Sequence, residues 1–308
     1  MRPIDIIGVG EVVVDWVMEV PRYPKPDEKL DALSENRFSG GVTANFLVGA
    51  AKFGVNCGFI GAVGDDSYGD FLISNFQEEG VDTQYLIKKK GKNTPINFIF
   101  VAQGEKTIIQ SPHMQTTKID ISDINEVYIS KARVMHTTLI HPKISKYAIN
   151  LAKKHDVKVS IDLEAQIAER GWDILREPLL KADVLIPNKE GAKMITKTDN
   201  PEDAAKFLIK KGIPKVIITL GKEGVLLTTR KFQNKLPAYD ITNIVDTTGA
   251  GDVFNAAFSV GYWVYGWGLK KACKFANGAA ALKIQHLGAR SGIPNKKTVL
   301  KFLERQEG

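Results

Sequence analysis

Asp246, Thr247, Thr248, Gly249, Ala250, Gly251 and Asp252 are consecutive. They set a Gly-Ala-Gly turn and two hydroxyls between two carboxylates. The stretch before them, YDITNIV, is β-like, and the stretch after them, VFNAAFSVGYWVY, has helical apolar spacing. The turn therefore falls at a helix N-terminus, where free amide N–H groups point outward and the helix dipole adds partial positive charge. Gly249 and Gly251 let the backbone approach a ligand and take up unusual dihedrals. Together these features make a candidate pocket for an anion such as phosphate. Asp252 has two readings. A carboxylate in the first helical turn is electrostatically comfortable. It would also repel a phosphate bound beside it, a cost that makes sense if it takes a proton from a hydroxyl attacking that phosphate. Spacing alone leaves both open.

The elements that must hold this turn alternate along the chain. The apolar runs at 4–10, 57–64, 133–138, 157–162, 183–187 and 215–221 read as buried strands. Helical patterns lie between several of them, at 41–54, 143–155 and 201–212. Such alternation predicts an α/β fold with a mainly parallel sheet covered on both faces. Two segments break the rhythm. Residues 12–38 include the proline-rich VPRYPKPDEKL, and residues 91–112 read as a hairpin turning at Gly104. These are expected to form a small β lid over one end of the sheet. With no linker or internal repeat, residues 1–308 are expected to be one domain carrying that lid.

Composition narrows the function classes. A hydrophobic fraction of 44% and a charged fraction of 25% are those of a globular protein. The only cysteines, Cys57 and Cys273, form no metal or redox motif, so no disulfide framework is expected. The N-terminus lacks a signal-peptide pattern and no apolar run has spanning length, so the expected location is cytoplasmic, away from membranes. The net charge of +7 reads as a lysine-rich surface that also favours phosphorylated ligands. No basic stripe interleaved with aromatics appears, so nucleic acid is not an expected partner. His113, His136, His141, His155 and His286 lack metal spacing and read as structural or surface residues. There is neither a G-x-x-x-x-G-K-[ST] loop nor an H-R-D or D-F-G set, which excludes P-loop proteins and protein kinases.

The DTTGAGD turn with its apolar helix resembles the C-terminal signature of the ribokinase/PfkB family of carbohydrate kinases. SGGVTANFLVGAAKFG at 39–54 is similar to that family's N-terminal signature. VGDDSYGD, GVDT, IITLGKEG and FANGAAALKIQHLGARSGIP also match, in family order, over nearly the whole chain. The resemblance implies a ribokinase-like three-layer α/β/α sandwich that transfers the ATP γ-phosphate to an alcohol of a sugar, sugar acid or nucleoside. It implies Asp252 as general base and the amides of Gly249, Ala250 and Gly251 as the anion hole. For the acceptor it implies Asp15 as a hydroxyl-binding acid, close backbone approach at Gly40 and Gly41, and a hydrogen bond from Asn45. Asp162, at the C-terminal end of a strand where ligands of open α/β sheets gather, is a further acceptor-site candidate. For the nucleotide it implies Thr219, Gly221 and Gly224 in an ATP loop, Asn277 near the adenine, and Asn188 from an Asn-x-x-Glu motif. A hairpin turn, a buried helix amide and a helix-start amide are the bland alternatives for the loop, Asn277 and Asn45.

The chain departs from the family pattern in places. The motif Glu would fall on Gly191, and Glu190 comes one residue early, about 100° around a helix. Mg²⁺ is expected with ATP, held through Glu190 or mainly by the nucleotide. Asp246 and Thr248 match a monovalent-cation site of many relatives, for an ion such as K⁺, although Asp246 could simply cap the turn. Ribokinases carry Lys-Gly after the Gly-Gly pair where this chain has Val42 and Thr43, and Ile140, beside His141, stands where they use a ribose-binding Glu. The apolar lid segment 96–102 suggests a homodimer through the lid. Two rival readings have less support. A dinucleotide-binding turn at Gly8 and Gly10 lacks its third glycine, which is Val13. A non-catalytic sugar or nucleotide sensor on the same fold would be expected to lose the base.

Overall fold

A strand buried on both faces needs apolar residues at successive positions, and the runs picked out above supply them. The computed structural model describes residues 2–103 and 105–307. Its strands are β1 (Ile4–Val9), β2 (Val13–Glu19), β3 (Ser34–Gly40), β4 (Cys57–Gly64), β5 (Val81–Lys89), β6 (Ile96–Ala102) and β7 (Glu105–Gln110). They continue with β8 (Ala132–Thr137), β9 (Lys158–Leu163), β10 (Val184–Pro187), β11 (Lys215–Thr219), β12 (Val225–Thr229) and β13 (Gln233–Leu236). Nine strands form the main sheet in the order β13-β12-β11-β10-β9-β8-β1-β4-β5. From β11 to β5 every pairing is parallel, whereas β11–β12 and β12–β13 are antiparallel hairpins.

The period-2 alternation of strand side chains sorts the apolar residues into two cores. Ile6 and Ile7 are both fully buried, but on opposite faces. Val184, Ile186 and Ile217 share the face of Ile6; Leu185, Val216 and Ile218 share that of Ile7. Helices Pro142–Lys154, Trp172–Leu180, Lys189–Thr196 and Pro201–Lys211 cover the Ile7 face. Helices Val42–Lys52, Ser67–Glu78, Ala250–Ser259 and Leu269–Lys283 cover the other. Gly49 brings two of these together: a Cβ there would lie 3.1 Å from the Ala256 Cβ.

The smaller sheet has the order β3-β2-β6-β7. Strand β2 pairs antiparallel with β3 and parallel with β6, and β6 pairs antiparallel with β7. Its strands fall in the two segments that broke the α/β rhythm, and Gly104, the expected turn residue, lies outside the described residues. Alternate β2 residues, Val13, Asp15, Val17 and Glu19, face a cleft of about 1160 Å³ shared with the C-terminal ends of the main parallel strands.

Candidate active site

The Gly-Ala-Gly turn opens into this cleft. Gly249 sits at φ 77° at the start of helix Ala250–Ser259, whose first turn has no side-chain cap. A Cβ at Gly249 would lie 2.4 Å from the Ala289 carbonyl oxygen, so only glycine fits. Gly251 differs: a Cβ there would meet nothing within 4 Å, because the position faces the open cleft. Of the three amides expected in the anion hole, that of Ala250 donates to Thr247 O at 3.2 Å, and Ala250 is not among the cleft-lining residues.

Asp252 lies at the foot of the cleft in a chain of hydrogen bonds. Its Oδ2 accepts from Asn45 Nδ2 at 2.8 Å, and Asn45 Oδ1 accepts from Arg290 Nε at 2.8 Å. Arg290 also donates to Asn75 Oδ1 at 2.7 Å and to Gly40 O at 3.3 Å. Burial pushes the Asp252 carboxyl up to about 7, the Glu164 and Glu11 charges add to the rise, and Asn45 and Arg290 oppose it. A carboxylate with that proton affinity suits proton abstraction near neutral pH. Burial likewise draws Arg290 down to about 10, against the pull of Asp15, Glu79 and Asp252.

Three more acids crowd the same floor. Asp162, buried at the end of β9, is raised well above the usual carboxylate range by burial and by the charges of Glu164, Asp252 and Glu11. Glu164, two residues on and facing the same cleft, is raised by burial. Glu11, just past β1, is pushed up to about 7 by burial although Thr138 donates to it at 3.2 Å. Sequence reasoning missed Glu11 and Glu164. The signal was present, since both lie just past strand C-termini, close to where Asp162 ends its own apolar run, but the strand readings stopped at Gly10 and Asp162.

At the far end of the cleft Asp15 accepts from Asn97 Nδ2 at 2.8 Å, and burial raises its carboxyl against Asn97, Arg290 and Lys106. Gly40 makes room for that carboxylate: a Cβ there would lie 2.1 Å from Asp15 Oδ2. Gly41, at φ 98°, starts helix Val42–Lys52 with no side-chain cap, and a Cβ there would meet Glu11 O at 2.8 Å. Val42 and Ile140 add apolar wall.

The other expected residues divide into cleft-lining and supporting groups. Asn188, Glu190, Thr219 and Gly221 line the cleft. Asn188 Oδ1 caps helix Lys189–Thr196 by accepting from the Gly191 amide at 2.6 Å. A side chain at 191 has no space, because a Cβ there would lie 2.2 Å from Leu163 O, so Glu190 is the acid this helix start presents. Gly224 and Asn277 do not line the cleft. Gly224 takes φ 92° in the β11–β12 hairpin, against Leu236 O, and Asn277 Nδ2 donates to Pro237 O at 2.9 Å. Asp246 Oδ1 accepts from Thr248 N at 2.9 Å and Thr248 Oγ1 at 2.7 Å, and its Oδ2 accepts from Gly288 N at 2.8 Å. Burial would raise this carboxyl, but those bonds, with Lys283 nearby, hold it below its usual range. Lys106, from β7, reaches Thr248 Oγ1 at 3.2 Å; nothing in the sequence marked it.

Known proteins resemble this chain over nearly its whole length. A family described as pfkB family carbohydrate kinase matches residues 4–296. A ribokinase of Haemophilus influenzae is 31% identical, over 96% of this chain and 97% of its own. A 5-dehydro-2-deoxygluconokinase of Clostridium perfringens is 28% identical, over 99% of this chain and 94% of its own. The structure of an Arabidopsis thaliana ribokinase complexed with ribose and ATP superposes with a TM-score of 0.87 at 27% identity, covering 99% of each chain. The three-layer sandwich with its second sheet is therefore the ribokinase-like fold the resemblance implied. Among the described residues, no helix is long and apolar enough to cross a membrane.

Proposed function

The chain belongs to the pfkB family of carbohydrate kinases, and from that premise we propose that it transfers the γ-phosphate of ATP to a hydroxyl of a sugar-like acceptor, with Asp252 as general base. The observation that carries this reading is the pairing of a carboxylate pushed up to about 7 with a helix start, free of any side-chain cap, that opens into the same cleft. Asp252 takes the proton of the attacking hydroxyl. The amide of Gly251 and the dipole of helix Ala250–Ser259 hold negative charge on the phosphoryl group in transit. Asn45 and Arg290 fix the carboxylate's direction. Asp15 and Asn97 hold other hydroxyls of the acceptor.

Asn188, Glu190, Thr219 and Gly221 are assigned to the nucleotide side. The charge of Glu164 raises the proton affinities of Glu11, Asp162 and Asp252, and Glu11 adds to the rise of the last two, an environment a hard divalent cation relieves. Carboxylate oxygens suit Mg²⁺, but among the described residues no three acids, histidines or cysteines gather closely enough to enclose a metal ion, so most of its ligands would come from the ATP phosphates, whose charge it would neutralise when bound. Asp162 and Glu190 are the residues assigned to it, directly or through water. The monovalent cation expected at Asp246 and Thr248 fits poorly, because a lysine ammonium already reaches the Asp246 carbonyl.

Carboxylates accept from hydroxyls and repel an acidic acceptor, so a neutral polyol is expected to be taken better than a sugar acid. The test is a panel of sugars, sugar acids and nucleosides with ATP and Mg²⁺, following ADP release and identifying the phosphorylated product. Failure of the whole panel to yield a phosphate ester overturns the reading. A homodimer through the small sheet is also proposed, since Ile109, on edge strand β7 and outside the cleft lining, is 57% exposed. Sedimentation of the protein and an Ile109→Lys variant tests it; an unchanged mass in the variant counts against that surface.

A further inference from the structure

Lys283 is the one lysine among the described residues that is fully buried. It ends helix Leu269–Lys283, yet its side chain turns inward, and Nζ donates to the carbonyl oxygen of Asp246 at 3.2 Å. That carbonyl belongs to the loop leading into the phosphate pocket. The next residue fastens the same loop through its backbone, since the amides of Val245 and Asp246 both donate to Ile284 O, at 2.9 and 3.1 Å. Gly288, a few residues on, donates to the Asp246 carboxylate at 2.8 Å. Taking an ammonium out of water is costly unless nearby groups compensate. Here burial lowers the proton affinity of Lys283, the carboxylates of Asp246 and Asp252 raise it, and Lys106 opposes them.

An ammonium and a potassium ion are alike in charge and size and seek the same carbonyl oxygens. A carbonyl oxygen that accepts from the buried ammonium leaves no room for a potassium ion at the same place. We propose that the Lys283 ammonium is the built-in monovalent cation of this loop, a positioning residue that holds residues 246–249 in place and lends fixed positive charge behind the phosphate pocket, so that the protein needs no added potassium. The proposal rests on the phosphoryl-transfer reading above only for its effect on turnover. Its structural half, that the cation position is filled from within, stands separately.

The experiment compares potassium chloride with tetramethylammonium chloride at equal ionic strength, the organic cation being far bulkier than the lysine ammonium it would have to replace. Three proteins are compared: the natural one, Lys283→Ala, which opens a hole, and Lys283→Met, which fills the hole without charge. Melting temperature and turnover are both read. The natural protein is expected to give the same values in the two salts. Lys283→Ala is expected to lose at least about tenfold in turnover in tetramethylammonium and to regain part of it, with a raised melting temperature, only in potassium. Lys283→Met is expected to show the loss without the rescue, which separates charge from packing. A potassium-specific rise in melting temperature or turnover of the natural protein overturns the proposal, as does full activity of Lys283→Ala in tetramethylammonium. If Lys283→Ala does not fold, the salt comparison on the natural protein still decides. If the natural protein phosphorylates nothing in either salt, the phosphotransferase reading fails and the melting data alone decide the cation question.

Discussion

Helices Lys189–Thr196 and Ala250–Ser259 both begin at the cleft, and they begin differently. Helix Lys189–Thr196 is closed by Asn188, whose side chain satisfies the Gly191 amide at 2.6 Å. Helix Ala250–Ser259 follows Gly249 with no side-chain cap. Away from the cleft, helices Ser67–Glu78 and Pro201–Lys211 are capped by Asp66 and Asn200 in the ordinary way. A side-chain cap typically contributes about 1 kcal/mol, so omitting one beside the acidic floor forgoes stability that the fold collects elsewhere. The difference teaches where a ligand is to finish the structure. A missing side-chain cap alone does not mark a ligand site, since helices Pro142–Lys154, Trp172–Leu180 and Leu269–Lys283 also lack one; the start at Gly249 also opens into the acidic cleft, where an anion can complete it.

The most direct way to break that contrast is at Asp252. Asp252→Asn keeps the shape and its contact with Asn45 but removes the proton acceptor, and turnover is expected to fall at least roughly 10²-fold with ATP binding nearly kept. Near-natural turnover would assign Asp252 to the helix dipole alone. Its proton affinity gives a second handle. A base must be deprotonated, so kcat/KM is expected to fall as pH drops below about 7, the value to which burial raises this carboxyl. Because the Asn45 hydrogen bond lowers that value, Asn45→Ala should move the acidic limb to higher pH. A limb unmoved in that variant, or still present in Asp252→Asn, would assign the titration to another group, with Glu11 the first candidate.

The two glycines of the turn sharpen the comparison at a smaller scale. Gly249→Ala places a Cβ against Ala289 O in a left-handed conformation, so both stability and turnover are expected to fall. Gly251→Ala meets nothing within 4 Å, so its melting temperature should stay within a degree or two of the natural protein. The added methyl projects into the space assigned to the phosphoryl group, and turnover is expected to fall about tenfold. Natural activity in Gly251→Ala would mean that no ligand atom comes close to that amide.

Much of this was legible beforehand, for physical reasons that differ from region to region. The parallel strands were readable because burial on both faces demands apolar runs, and the turn at 246–252 because glycines and acids are rare in such a place without cause. Of the antiparallel close of the main sheet only the turn at 219–224 was legible, as the alternative to an ATP loop; β13 (Gln233–Leu236) was not, since its sequence QNKL is polar and carries no apolar run. Arg290 gains its meaning only from partners far off in sequence, such as Asn45, 245 residues away. The motif glycines mixed two jobs that spacing cannot separate. Gly251 leaves room for a ligand, whereas Gly40 and Gly224 leave room for Asp15 and for the backbone at Leu236.

The smallest expected effects separate the two jobs of Asn188. Its Oδ1 is occupied by the helix cap, which leaves the Nδ2 hydrogens for the nucleotide side of the cleft. Asn188→Asp keeps the capping oxygen and loses the donor, so stability should hold while the KM for ATP rises a few-fold. Asn188→Ala loses both, and should cost about 1 kcal/mol of stability as well. Asn200→Ala is the control, because Asn200 caps Pro201–Lys211 through the Asp203 amide at 2.9 Å and does not line the cleft. It should cost a similar amount of stability and leave the KM for ATP alone. If Asn188→Asp and Asn200→Ala give the same KM, the capped helix only positions Glu190, and the open start at Gly249 is the phosphate contact that matters.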